Sequence, residues 1–150
     1  SAILTGATLT DVISGNIQGR PASLPDGYQL INGYILGPGV NLHRAKLANV
    51  RMPGVDFTDA NLSYADLRYT ILHDVTFTGA NLQRADLERA DLTRATFMRA
   101  ELANAYIINT RNTWKLANFG GARGMENIYW WNRTSNEVGP NGEGGAPGGK

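Results

Sequence analysis

The amino-acid sequence predicts an all-β chain wound as a parallel solenoid with four sides and about five coils. Three observations carry this. Residues 40–109 repeat every five positions without an insertion. Within each unit a small or β-branched residue and a large apolar residue stand two places apart. Like residues also recur at a spacing of twenty, as at Phe57, Phe77 and Phe97 and at Asn41, Asn61 and Asn81.

The five-residue period sets the backbone path. Fourteen units run from Val40 to Asn109, and their third places read Leu42, Leu47, Met52, Phe57, Leu62, Leu67, Leu72, Phe77, Leu82, Leu87, Leu92, Phe97, Leu102 and Ile107. In an extended segment the first and third places point to one side and the second to the other. Five is odd, so a straight strand would reverse its faces at every new unit. The chain must turn once per unit to return the next small–large pair to the interior, which predicts a corner in each repeat. These fourteen residues, with the alanines and valines of the first place, are the expected core. The spacing of twenty makes four units per coil, because like side chains stack well in parallel coils.

A helix over 80–105 is the rival, since alanine and leucine favour it. A period of five advances about 500° around a helix, so the leucines would spiral over the surface without forming a stripe. The pattern favours the solenoid over an amphipathic helix.

The flanks depart from the repeat. Three further units start at Ala2, Ala7 and Val12. The register then breaks at about 18–39, where prolines and glycines bracket two short strands around Leu30 and Ile35. After Asn109 the pattern decays, and Ala117 resumes it two residues out of phase. The expected organisation is a repeat region over 1–124, an aromatic C-terminal cap over 125–136 and a flexible Gly/Pro-rich tail over 137–150.

Composition narrows the chemistry. With 14 basic and 13 acidic residues the formal charge is +1, so nothing pulls the chain as a whole toward nucleic acid or an acidic membrane. Cysteine is absent, which excludes a disulfide framework, a thiol nucleophile and thiolate-bound metal. No apolar run approaches the length of a transmembrane helix, and a soluble chain is expected. The sequence starts with Ser1 at the edge of a unit, which reads as a processed or truncated N-terminus. His43 and His73 stand one and a half coils apart, on opposite sides, and cannot share a metal or a proton. No phosphate-binding loop, catalytic triad or metal-ligand spacing is present, so no catalytic, cofactor-binding or metal residue is assigned and no cofactor is expected.

"ANLSYADL" and "GANLQRADLERADL" resemble the A(D/N)LXX units of pentapeptide repeat proteins, and "LPDGYQLINGYILGPGVNL" resembles an interruption common in bacterial members. The resemblance implies a right-handed quadrilateral β-solenoid without enzymatic activity. It also implies one functional precedent, the dimeric DNA mimics that bind gyrase or topoisomerase IV.

That precedent conflicts with the charge. A faithful mimic of B-DNA needs about three net negative charges per coil. Residues 40–59, 60–79 and 80–99 total +1, −1 and +1. The favoured reading is a non-enzymatic structural or protein-interaction module with a protein partner or self-association and no nucleic acid. Gyrase-binding mimicry is the alternative. Arg84, Arg89, Arg94 and Arg99 occupy successive corners of one coil and point four ways. Cross-coil ion pairs are expected between Asp74 and Arg94 and between Arg68 and Glu88. The asparagine column is expected to be structural: stacked amides hydrogen-bond from coil to coil, and short polar side chains satisfy backbone groups near the corners. Tyr129, Trp130 and Trp131 are the candidate partner contact, or else a plug over the last coil.

The inside–outside assignment makes a direct prediction. Phe77→Asp places an unpaired charge in the core and abolishes the cooperative thermal transition seen by circular dichroism. Arg94→Ala leaves the transition nearly where it was.

Overall fold

Backbone pairing across the repeats is made of single-residue parallel bridges. The computed structural model describes residues 2–108 and 113–129. Between Asn41 and Tyr106 every bridge joins a second-place residue to the one twenty positions on: Asn41 to Asn61 to Asn81 to Glu101, and Lys46 to Asp66 to Asp86 to Tyr106. The chain therefore returns to itself every four units and stacks as a solenoid. The one conventional sheet among the described residues is a hairpin outside this repeat.

Three hydrogen bonds per unit sew successive coils together. Leu42 N donates to Asn61 O at 2.7 Å, Asn61 N donates back to Val40 O at 2.9 Å, and Arg44 N donates to Ser63 O at 3.0 Å. The same set recurs one unit later from Leu47, Asp66 and Asn49. Within a unit the corner closes on itself: Ala45 N donates to Leu42 O at 2.9 Å, as Ala65 N does to Leu62 O at 3.0 Å. A type II turn closes in this way, with a positive φ at its third residue. The fifth place supplies it throughout. From Arg44 to Asn104 each fifth residue is left-handed, the non-glycines lying between 55° and 62°.

The coil interior is filled by places one and three. Leu42, Leu47, Met52, Phe57, Leu62, Leu67, Leu72, Phe77, Leu82, Leu87, Leu92, Phe97, Leu102 and Ile107 are each at most 2% exposed. Phe57, Phe77, Phe97 and Phe119 form one column of nearly parallel rings, with centroids 5.4, 4.9 and 4.8 Å apart. Each such pair adds about 0.5–1.5 kcal/mol beyond its burial. Thr70 is the polar exception at the first place, and its buried hydroxyl donates to Leu67 O at 2.6 Å.

Second-place side chains brace the corners from outside. Asn41, Asn61 and Asn81 each accept, through Oδ1, the N–H two residues on, at 3.1 Å. Asp56, Asp66, Asp86 and Asp91 do the same. The expected contact of short polar side chains with corner backbone is thus observed, and the expected amide ladder is corrected. Among the described residues no side-chain hydrogen bond links one asparagine of the column to the next; each amide oxygen is committed to the turn of its own unit.

Two irregularities interrupt the repeat. The first is the antiparallel hairpin β1 (Gln29–Ile31) and β2 (Tyr34–Leu36). Its two-residue turn is Asn32-Gly33, with φ of 50° and 76°, the left-handed pair that tight hairpins favour. The bridge Ile3–Ser23 spans twenty residues, whereas Ile13–Asn41 spans the hairpin as well. The hairpin is tied into the stack at several points. Ser14 accepts Ile35 N–H, Ile17 N donates to Gly33 O at 3.0 Å, and the Tyr34 hydroxyl accepts Lys46 N–H at 3.1 Å.

The second irregularity lies near the 3-10 turn Thr113–Leu116. Thr113 Oγ1 accepts Leu92 N–H at 2.9 Å, the donor that elsewhere meets a second-place carbonyl of the following coil. Pairing then resumes as Thr96–Asn118, Glu101–Arg123 and Tyr106–Tyr129.

The left-handed corners yield a paired prediction. Gly54, at φ +68, has open space where a Cβ would stand, so Gly54→Ala carries only a backbone penalty. It should cost about 1 kcal/mol. Arg99→Gly relieves the same conformation at φ 56° and should raise stability by a few tenths of a kcal/mol, to about 1. Denaturant midpoints of the two variants should move in opposite directions.

Candidate interaction surface

With places one and three turned inward, every candidate contact stands on the second, fourth and fifth places, arranged in columns. The fifth-place side chains are presented by the left-handed turn itself. Tyr64 is 45% exposed and carries the Arg44 guanidinium at 5.6 Å from its ring centroid and that of Arg84 at 5.5 Å. His43 meets the same ring edge-on at 5.5 Å, and its Nδ1 is 2.8 Å from Ser63 Oγ. One column over, the Arg89 guanidinium covers Tyr69 at 5.4 Å. These stacks follow the twenty-residue spacing, the signal that revealed the phenylalanine column. Reading the arginines along the chain separates them; reading them up the column brings Arg44, Tyr64 and Arg84 together.

The charged residues form local pairs. Arg94 grips Asp74 of the preceding coil with two bonds of 2.7 Å, the expected cross-coil partner. Arg68 departs from expectation. Its guanidinium turns to Asp66 in its own unit at 2.7 Å and approaches Asp86 at 3.7 Å, while Glu88 approaches Arg89 at 3.7 Å. The second-place carboxylate lies on the same side of the corner as Arg68, so the short-range pair wins. Hydrogen bonding from Arg68 lowers the Asp66 pKa, whereas burial raises that of Asp86. Arg94 lowers that of Asp74. At Asp91 burial pushes upward, but hydrogen bonds from Thr93 and His73 outweigh it and the pKa is lowered.

The two histidines engage separate partners, His43 at the Tyr64 corner and His73 on Asp91. Among the described residues no group of three His, Cys, Asp or Glu side chains is placed to hold a metal ion. Nor is any helix there long and apolar enough to cross a membrane.

The aromatic C-terminal candidate divides. Tyr129 is half-buried, stacks on Tyr106 with ring centroids 4.5 Å apart, and pairs by its backbone with the same residue. Coil pairing thus continues past position 124, and Tyr129 extends an outward column. Trp130 and Trp131 lie outside the described residues, as does the Gly/Pro-rich segment 137–150.

Residues 41–79 and 77–111 match the family model of pentapeptide repeats, in 8 copies. The chain is a pentapeptide repeat protein. Among solved structures it is similar to a pentapeptide repeat protein of the Arabidopsis thaliana thylakoid lumen, at 23% identity over 56% of this chain and 61% of that one, with a TM-score of 0.38. It is also similar to Rfr23 of the cyanobacterium Cyanothece, at 24% identity over 75% and 67% of the two chains and a TM-score of 0.34. A third is HetL, a protein of Nostoc involved in heterocyst differentiation regulation, at 25% identity over 61% and 52%, with a TM-score of 0.22. No curated protein matches the sequence.

The carboxylate shifts predict the acid response. A carboxylate whose folded pKa is lowered adds stability above its unfolded value and loses it as pH falls through the folded one. Asp66, Asp74 and Asp91 are of this kind, with an ordinary value of 3.8. The melting temperature should therefore fall as pH drops below about 4. Asp91→Asn keeps an acceptor for Thr93 N–H and removes one titrating group, so its melting temperature should vary less with pH over the same range.

Proposed function

We propose that this chain is a non-enzymatic structural or protein-interaction module, built as a right-handed, four-sided solenoid of about five coils. The observation that carries the reading is the columnar order of the outer side chains. Tyr64 over Arg44, Arg84 over Tyr64 and Arg94 over Asp74 repeat with the coil, on a backbone bonded three times per unit. Such a surface is preorganised, so a partner pays little ordering entropy to bind it.

Gyrase-binding mimicry has weaker support. The nearest approach to an acidic column is Asp66 and Asp86, and Arg68 faces both. A carboxylate column neutralised by its own arginine is a poor copy of a phosphate backbone.

Affinity capture by the intact chain, with Phe77→Asp as the control, tests the module reading. A stoichiometric partner retained by the intact chain and lost with the variant is expected. No partner, together with a monomeric mass in light scattering, would overturn it. In a DNA supercoiling assay the protein should be inert toward gyrase; dose-dependent inhibition or protection would favour mimicry.

A further inference from the structure

The charge that cancels within each coil does not cancel on each side. The units 40–44, 60–64 and 80–84 carry Arg44, Arg84 and His43 and contain no carboxylate. Neither arginine has an acidic partner among the described residues, in contrast to Arg68, Arg94 and Arg123. Both guanidiniums instead lie over the exposed Tyr64 ring, at 5.6 and 5.5 Å from its centroid, one from the coil before and one from the coil after. A guanidinium stacked on an aromatic face keeps its N–H fork free for a planar anion. His43 stands at the ring edge with Nδ1 engaged by Ser63. The nearest acid in the column of outward residues is Glu101, and it is paired with Arg123. This is a preorganised, unneutralised basic corner with an aromatic ring holding its two cations.

We propose that the Arg44–Tyr64–Arg84 corner binds an acidic helical segment of a partner protein. Consecutive coils are spaced about 4.8 Å apart, so the two forks stand about 10 Å apart along the stack. In a helix lying along the stack, carboxylates two turns apart match this spacing on one face. In an extended segment, residues three apart span about 10 Å but point to opposite sides. Nucleic acid fits less well. Only two arginines face outward here, which gives few phosphate contacts, and the flanking side bears Asp66 and Asp86.

The assignment rests on the interaction-module reading and specifies its partner. The test is a titration of isotope-labelled protein at low salt, followed by NMR. The probes are an alanine-based helical peptide with two glutamates two turns apart, the same peptide with the glutamates on different faces, and a short single-stranded DNA. The first peptide should shift residues 43–44, 63–64 and 83–84. The double variant Arg44→Gln/Arg84→Gln should weaken it by about fivefold or more. Arg51→Gln/Arg99→Gln removes equal charge elsewhere and should bind as wild type. Equal losses in both double variants, equal binding of the two peptides, or tighter binding of DNA at the same corner would each overturn the proposal. If the first double variant does not fold, Tyr64→Leu serves instead. It keeps both charges and should still weaken binding; unchanged affinity would overturn the role of the ring. Capture of a stoichiometric partner as well by Arg44→Gln/Arg84→Gln as by wild type would leave the module reading standing and overturn this one.

Discussion

The left-handed residue that ends every unit is the constraint on which the rest of the fold depends. Eleven non-glycine residues between Arg44 and Asn104 are held near φ 58°, a conformation in which an L side chain crowds its own backbone. Each costs about 1 kcal/mol relative to an ordinary conformation. The cost is offset because the turn does three things together. It lets a first-place N–H reach a third-place carbonyl, it brings the next small–large pair inward, and it aligns the N–H and C=O groups with those of the neighbouring coil. The second-place Asn or Asp then caps the same turn from outside, which explains why a short side chain with an acceptor recurs there. Core, ladder and surface all follow from one backbone torsion.

How much of this was legible in the sequence depends on which residues announce their roles. The phenylalanine column was legible, because large rings spaced twenty apart match the length of a four-unit coil and not the period of a helix. The corner was legible as a necessity of an odd period. Its torsion was legible only in part: Asn49, Gly54, Asp59, Asp74, Gly79 and Asn104 are residue types that accept a positive φ, but Arg and Tyr fill the other fifth places and give no sign of it. The hairpin was legible only as two short strands between turn residues. Its ties through Ser14 and Tyr34 were not, because a serine at a third place reads as a weak repeat. The preference of Arg68 for Asp66 over Glu88 was hidden as well. Sequence spacing gives the neighbour across coils, and rotamer reach within the unit decides the pair.

Electrostatics in this fold are organised by side, and a sum taken along the chain averages them away. The charge of each coil lies within one unit of zero, yet Asp66, Arg68 and Asp86 share one corner while Arg44 and Arg84 share another with Tyr64. The screening length at physiological salt is about 8 Å, comparable to the distance from one coil to the next but one. A partner lying against one side therefore feels that side alone. A near-neutral protein can then present distinct local fields without the self-repulsion that a high net charge brings.

The hairpin and the 3-10 turn show how the stack absorbs changes in length. Both add residues between coils, and in both cases pairing resumes with the second-place residue back in its own column. Length can thus change at a corner without moving any other column: even the step of six positions from Arg123 to Tyr129, one more than a unit, returns the next second-place residue to its column. In evolutionary terms, tandem duplication of a whole coil lengthens such a protein while leaving its existing surfaces intact, and loops gained at corners become sites where new specificity arises without refolding the scaffold.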